Sequence, residues 1–389
     1  MNKVKQPSES TNKIILLFLY IYSFFAGMGV EMPFFYIIGN FGVPEFFFLI
    51  VLFKIFIDDI RLKLHWIFII PVLLGFISLL SMISAAVVDN IYPNSLGYVF
   101  RFFFYSLMFI VYFTFTNSLQ VMLNHMKFIV YGVCMFLIFS WSNFIMEGGA
   151  YFKGWPVLSF LENANSNTQS FYYSIASIFT ITLLYYNAIN IFRGRVILLL
   201  LLISTFMTLS KTGWLSLIII SIFLFYSYLK KNKDLYKHLM LSVPIFLFCL
   251  YFLRNLIYER FSSSVSSNSD RWDLIVNGFY IWSDFPLIGA GPKTFIYRID
   301  EYGSKLHTAV AHDAHHAFIN ILSEIGIIAC LLLIVMWGYS FVTSINLYRY
   351  KFSLNFMNWT FIFSITIFML WSNTSGLIYS DKIPWIFLA

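Results

Sequence analysis

Long apolar runs separated by short polar segments are the dominant pattern along this chain. Runs of about 20 residues, enough to cross the hydrocarbon core of a bilayer, recur along most of its length. They predict helical spans near 14–30, 44–57, 65–88, 97–116, 127–146, 170–189, 196–209, 212–229, 239–254, 315–340 and 355–373, with the short apolar tail 383–389 as a twelfth. The pattern therefore predicts an all-α polytopic membrane protein with about 11–12 transmembrane helices.

One long polar segment, residues 255–314, interrupts this pattern between the ninth and tenth predicted spans. Loops of this length within a compact protein are usually functional. After Arg271, apolar residues recur at helical spacing (Trp272, Ile275, Phe279, Trp282), which predicts a short helix on the membrane surface. The sequence thus indicates a single integral membrane domain, 1–389, that carries one large loop at 255–314.

Composition agrees with this architecture. The chain is 60% hydrophobic and 11% charged, with a mean hydropathy of +0.78, whereas soluble domains are about a quarter charged. The basic N-terminal segment leads into an apolar run without a small-residue cleavage site, so we expect the first helix to be retained. The three cysteines, Cys134, Cys249 and Cys330, lie in apolar runs and are expected to be small buried hydrophobes.

Lysine and arginine give the orientation. With a cytoplasmic N-terminus, every inner segment carries a basic residue, and the short outer loops near 31–43 and 89–96 carry none. The net charge of +7 is spread over helix ends and does not indicate a nucleic-acid partner. Ten of the 25 basic residues nevertheless fall at the outer face: Arg101, Lys153, Lys211, Arg254, Arg260, Arg271, Lys293, Arg298, Lys305 and Lys382.

This excess of outer cations predicts an anionic ligand, with phosphate as the obvious candidate. Arg101 lies about one turn inside a predicted span, where arginine normally has a partner. Lys211 stands in a short turn between two spans, where a snorkelling lysine is the simpler interpretation. The amide cluster at 162–169 is either a helix cap or a site for sugar hydroxyls.

Four of the seven histidines, His307, His312, His315 and His316, lie just before an apolar helix. Three interpretations are open. The histidines are solvated loop residues, or they bind zinc together with Asp313. In the third interpretation, one histidine is a general base that stays neutral because neighbouring cations lower its pKa. The outer cations favour the general base.

These residues resemble the O-antigen ligase and polymerase family. That family has a histidine and an amide or serine, then nine residues and Gly-x-x-Gly, as a helix leaves the large periplasmic loop. Here His315 and His316 are followed by nine residues and by Gly326-Ile-Ile-Ala329. Glu324 is also similar to the family, whereas His316 and Ala329 depart from its usual residues.

Three further motifs carry the resemblance over about 160–330. Ser210-Lys211-Thr212-Gly213 is similar to the family's Ser-Arg turn. Arg271-Trp272 with Pro286-Leu-Ile-Gly289-Ala-Gly291 resembles its Arg…Pro-x-x-Gly-x-Gly block, and Asn165-Ser-Asn167 its Asn-Pro-Asn element.

The resemblance implies a GT-C-like fold and transfer of a glycan from an undecaprenyl diphosphate carrier, at the periplasmic face of the inner membrane and without metal or cofactor. It implies that His315 is the catalytic base, and that Arg271 and Lys211, with Arg101 as a third cation, bind the diphosphate. The implied substrate-binding residues are Asn165, Asn167, His316 and Glu324. The implied partners are the carrier-linked oligosaccharide and the lipid bilayer, with a chain-length regulator and a flippase as candidate protein partners.

Several functions stay open at this point. Within the family the choice is between a polymerase, favoured here, and a ligase that joins the glycan to lipid A–core. A transporter or flippase for lipid-linked sugars would need charged residues midway along its helices, and few are present. A zinc-dependent membrane hydrolase is the remaining alternative.

Overall fold

The computed structural model describes residues 9–28, 36–38, 41–89, 95–146, 150–152, 155–158, 166–231, 255, 258, 265–299, 314, 316–350 and 355–375. Its long helices are α1 (Glu9–Met28), α2 (Val43–Ile57), α3 (Ile69–Asp89), α4 (Ser95–Phe115), α5 (Leu119–Met146), α6 (Ser166–Tyr185), α7 (Ile191–Met207) and α8 (Lys211–Lys231). They are followed by α9 (Val265–Asp284), α10 (Phe295–Arg298), α11 (Ala317–Ile325), α12 (Ile327–Tyr350) and α13 (Asn355–Ser375).

Two short antiparallel hairpins complete the described structure, β1 (Tyr36–Ile38) with β2 (Phe41–Gly42) and β3 (Ala150–Phe152) with β4 (Trp155–Val157). The prediction of a helical, polytopic membrane protein is confirmed. Five described helices are long and apolar enough to cross a bilayer: Ser10–Met28, Trp66–Ala86, Ser95–Phe115, Leu119–Met146 and Ile327–Asn346. The predicted spans 239–254 and 383–389 lie outside the described residues, so the total of 11–12 stays a prediction.

Helix α6 is the centre of the second half of the bundle, where it packs against α5, α7, α8 and α13. Every side chain from Thr168 to Leu183 is buried, including many hydroxyls. Those of Ser177, Thr180 and Thr182 donate to backbone carbonyls four residues earlier, at 2.7–2.9 Å. Because these hydroxyls are satisfied within their own helix, a polar sequence can occupy an apolar core.

The predicted span 315–340 is two helices instead of one. The chain breaks at Gly326, whose backbone has φ 89° and ψ 179°. The rings of Phe318 and Trp337 lie 5.2 Å apart, although 19 residues of straight helix would separate them by about 28 Å. Helix α11 therefore folds back along α12, which a continuous hydropathy profile cannot reveal.

The helix predicted after Arg271 is confirmed as α9. Leu274, Asn277 and Ile281 form its buried face, whereas Trp272 and Phe279 are exposed. Leu274 and Ile281 belong to a second, small hydrophobic cluster with residues of the following turn and of α11. Helix α9 is therefore docked on the helix bundle by one face and leaves an aromatic face outside.

Candidate functional site

A hydroxyl and amide cluster joins the start of α6 to the start of α8. The Oδ1 atom of Asn167 accepts hydrogen bonds from Ser210 Oγ (2.6 Å) and Thr212 Oγ1 (3.1 Å). Ser170 Oγ donates to the Asn167 carbonyl at 2.8 Å and to Ser210 Oγ at 3.2 Å. Two of the sequence motifs, Asn165-Ser-Asn167 and Ser210-Lys211-Thr212-Gly213, thus meet through Asn167; Asn165 itself lies outside the described residues.

The turn before α8 is shaped to begin a helix at Lys211. Leu209 has a positive φ of 48°, and Ser210 Oγ accepts the backbone N–H of Gly213 at 3.1 Å, which caps the helix. Lys211 is the first residue of α8 and is half-buried. Lys211 therefore adds its positive charge to the first turn, where the helix dipole is also positive, and both favour an anion at this end of α8.

Helices α9 and α11 run side by side in the same direction. Gly278 of α9 lies against Ile319 of α11, and further along both segments the carbonyl of Leu287 lies against Gly326. Arg271 precedes Gly278 by seven residues, or about 10 Å of helix. Its half-buried side chain is therefore at the end of the pair where α11 begins at His316, which we call the histidine end.

The backbone leading into α11 is fixed at this end. The N–H of Ala314 donates to Asn320 Oδ1 at 2.7 Å, and Ala314 is fully buried in the same cluster as Leu274. His315, the predicted base, lies outside the described residues, as do His307, His312 and Asp313. The structure therefore positions the residues on either side of His315, Ala314 and His316, next to α9.

His316 is the described member of the histidine group, and it lies outside the candidate spans. Its Nδ1 atom is buried and has no hydrogen-bond partner within the described part of the chain. Burial lowers the pKa of this imidazole below its usual 6.5, because desolvation penalises the charged form. His316 is therefore neutral near pH 7, and its buried Nδ1 can accept a hydrogen bond.

The opposite end of the pair, the glycine end, is a backbone clamp. The N–H of Ala290 donates to the Ser323 carbonyl (2.8 Å), and the N–H of Gly291 donates to the Glu324 carbonyl (2.9 Å). Ser81 Oγ of α3 donates to the same Glu324 carbonyl at 2.8 Å. The Pro-x-x-Gly-x-Gly block and the Gly-x-x-Ala segment are thus one interlocked unit, and the Glu324 side chain is buried within it.

Arg101 lies near the glycine end, close to the turn after Gly291. Its guanidinium carbon is 5.2 Å from the centroid of the buried Tyr98 ring, and Lys293 Nζ is 4.9 Å from the same centroid. Sequence reasoning did not single out Lys293. It also passed over Arg298, which is 5% exposed and whose guanidinium lies 4.6 Å from the Phe285 ring. Both residues belong to the outer-face cations that the topology left unexplained.

Among the described residues, aromatic contacts connect the histidine end with the Asn167 cluster. A series of adjoining rings runs from His316 through Phe318, Trp337 and Phe368 to Phe171, with centroid separations of 5.2–6.2 Å. Phe171 is one helical turn after Asn167. Helix α4, which carries Arg101, packs against α3 and α1.

The described residues contain no group of three or more histidine, cysteine, aspartate or glutamate side chains that could hold a metal ion. Four of the residues considered for zinc, His307, His312, Asp313 and His315, are outside that part of the chain.

Comparison with known proteins gives a family for this segment. No curated protein matches the chain. The family model described as O-antigen ligase matches residues 196–334, which contain Lys211, Arg271, the histidine group and both glycine motifs but not Arg101, Asn165 or Asn167. The match confirms the resemblance that the motifs indicated: residues 196–334 of this chain are similar to the O-antigen ligase family.

Proposed function

We propose that this protein moves a glycan from an undecaprenyl diphosphate carrier to an acceptor hydroxyl at the periplasmic face of the bacterial inner membrane, as a polymerase of O-antigen or another surface polysaccharide. The family match supports a glycan-transferring membrane enzyme. The observation that carries the finer proposal is the position of Arg271 at the histidine end of α9 and α11. Arg271 and the imidazole of His316 lie at the same end of this helix pair, which supports a cation and a histidine acting together there.

The chemistry needs a base and an anion site. In the proposed step, His315 takes the proton of the acceptor hydroxyl while the hydroxyl oxygen forms a bond to the anomeric carbon of the donor glycan. The bond from that carbon to the carrier phosphate breaks, and the carrier leaves as its diphosphate. Arg271 and Lys211 stabilise the negative charge that develops on this leaving group, and the N-terminus of α8 adds to the field at Lys211.

The remaining site residues are proposed to bind the substrate. Asn167 is oriented by the hydroxyls of Ser210 and Thr212, and it is assigned to a sugar hydroxyl or phosphate oxygen. Asn165 and His316 are assigned to the glycan. Glu324 is likewise assigned to substrate binding, and its backbone carbonyl accepts the hydrogen bonds that hold the clamp at the glycine end. Arg101 is the third cation and binds phosphate.

The proposal requires no metal, because arginine and lysine supply the charge that a metal would otherwise provide. EDTA should therefore leave glycan transfer intact. If EDTA abolished transfer and zinc restored it, the zinc hypothesis built on His312 and His315 would replace the general base.

The test in cells is to complement a deletion strain with variants of the histidine group. We expect His315→Ala to remove long polysaccharide chains and His312→Ala to retain them. A polymerase defect leaves a single repeat unit on lipid A–core. A ligase defect leaves lipid A–core unmodified while polymer accumulates on the carrier, and that phenotype would favour the ligase alternative. Normal surface polysaccharide with His315→Ala would refute the proposed base.

A further inference from the structure

A cavity of about 610 Å³ lies between α4 and α5 on one side and α12 and α13 on the other. The segment just before α3 completes its wall. Its volume is within the range of about 300–1,000 Å³ that is typical of sites for small molecules. The described residues that we assign to glycan transfer lie elsewhere, so this cavity is without a role in that reaction.

The cavity is far along α12 from the break at Gly326. Tyr339 and Thr343 contribute to its wall, and they follow Gly326 by 13 and 17 residues, or about 20–26 Å of helix. This end of α12 leads to Arg349 and Lys351, which the distribution of basic residues predicts to be cytoplasmic. The cavity and the glycine end are therefore at opposite ends of the same helix.

The wall of the cavity is polar at the mouth and apolar in its depth. Lys63 and Asn117 are exposed and lie just outside the helices. Ile129 and Ile365 are buried, and each lies ten residues after the first residue of its helix, α5 or α13, which is about 15 Å of helix. A ligand that matches this wall has an anionic or polar head and a long apolar body.

A buried histidine in the wall is only partly satisfied by the fold. His125 is 4% exposed, its Nδ1 lies 2.9 Å from Ser23 Oγ, and its ring contacts those of Tyr20 and Tyr112. The Nε2 atom of His125 has no hydrogen-bond partner within the described residues. An ionisable side chain within a membrane helix usually belongs to a functional site. A ligand in the cavity, or water that enters with it, can supply the missing hydrogen bond.

We propose that this cavity binds an anionic phospholipid, with its phosphate at Lys63 and one acyl chain reaching Ile129 and Ile365. Asn117 and Thr343 offer hydrogen bonds to the phosphate and glycerol oxygens. Basic pockets between transmembrane helices on the cytoplasmic side are typical sites for anionic headgroups. The bound lipid joins α4 and α5 to α12 and α13, so its effect is to stabilise the bundle. The site is independent of the proposed glycan transfer.

Thermal melts of the purified protein in a zwitterionic detergent, titrated with phosphatidylglycerol, test the head of the site. We expect phosphatidylglycerol to raise the melting temperature and phosphatidylcholine to leave it unchanged. Lys63→Gln should raise the phosphatidylglycerol concentration at half of the shift by about fivefold, the effect of one cation at a lipid headgroup. The matched control is Arg61→Gln, which removes an exposed cation two residues away and outside the cavity wall. Its titration should equal that of the unaltered protein.

A second pair of variants tests the place of the acyl chain. Thr343→Phe puts a ring into the cavity and should remove the shift caused by phosphatidylglycerol. Val342→Phe, at the next residue, adds the same ring to a side chain that is 53% exposed and outside the cavity wall, and should retain the shift. Because the two positions are adjacent on α12, a general effect of the added ring on this helix appears in both variants.

Four results would overturn the proposal. Equal stabilisation by phosphatidylglycerol and phosphatidylcholine would show that the site does not select an anion, and equal titrations of Lys63→Gln and Arg61→Gln would remove the headgroup contact. The same shift with glycerol phosphate would identify a free phosphate compound instead of a lipid. Equal shifts in Thr343→Phe and Val342→Phe would place the lipid outside the cavity. The proposed glycan transfer would stand in each case, because its test uses other residues.

Discussion

Gly326→Ala should disrupt the clamp that fixes α11. The loss in the free energy of unfolding can be worked out from the backbone. The φ and ψ of 89° and 179° at Gly326 belong to a region that only glycine occupies readily, and forcing another residue into it costs about 1–3 kcal/mol. The new methyl group would also overlap the carbonyl of Leu287. That carbonyl belongs to a turn that is fixed by a hydrogen bond from the Ile327 N–H to the carbonyl of Pro286, at 3.0 Å.

Overpacking against an immobile neighbour adds about another 1–3 kcal/mol, so the total loss is roughly 2–6 kcal/mol. The matched control is Gly338→Ala in α12, where a Cβ atom would meet nothing within 4 Å. That substitution should stabilise the helix by about 0.5–1 kcal/mol. Unfolding curves of both purified variants in the same detergent measure the difference. If Gly326→Ala and Gly338→Ala had the same melting temperature, the strained break between α11 and α12 would be refuted.

Three further results are expected. Ser210→Ala removes the α8 cap and a partner of Asn167 and should cost about 1–2 kcal/mol, whereas Ser221→Ala, at an exposed hydroxyl bonded within its own helix, should be neutral in the same melt. The pKa of His316 is lowered in the folded protein, so below about pH 6.5 the unfolded chain binds more protons and the free energy of unfolding falls, with no effect above that pH. His316→Gln should abolish this loss of stability in acid. An unchanged pH profile would contradict the burial of the imidazole. Chelation with EDTA should not change the transfer rate, and a loss that added zinc reverses would contradict the metal-free mechanism.

The pairing of local motifs could be anticipated from the sequence. The Asn-Ser-Asn and Ser-Lys-Thr-Gly segments each stand beside a predicted span on the same face of the membrane, and the structure joins them through Asn167 and Ser210. The amphipathic helix after Arg271 was also evident, because its period is local. Most helix boundaries were predicted to within about five residues, since they follow the ends of apolar runs, but α5 begins eight residues before its predicted start and α12 ends ten residues after the predicted end.

Long-range geometry could not be anticipated in the same way. The residues around Gly326 are continuously apolar, so the reversal between α11 and α12 leaves no mark in a hydropathy profile. Lys293 reaches Tyr98 because Ser95 binds the carbonyl of Pro292, a contact between residues 197 positions apart. Only the excess of cations at one face gave a signal for that site, and it did not select Lys293 among them.

The central claim is that His315 is the base for glycan transfer from a lipid diphosphate. The most direct measurement is polymer formation by the purified protein, supplied with undecaprenyl-diphosphate-linked repeat units in EDTA-containing buffer. We expect ladders of product with the unaltered protein and with His312→Ala. With His315→Ala we expect a loss of at least about 100-fold in rate, the scale of a missing general base, while the protein still binds carrier. Undiminished product from a well-folded His315→Ala protein would contradict it.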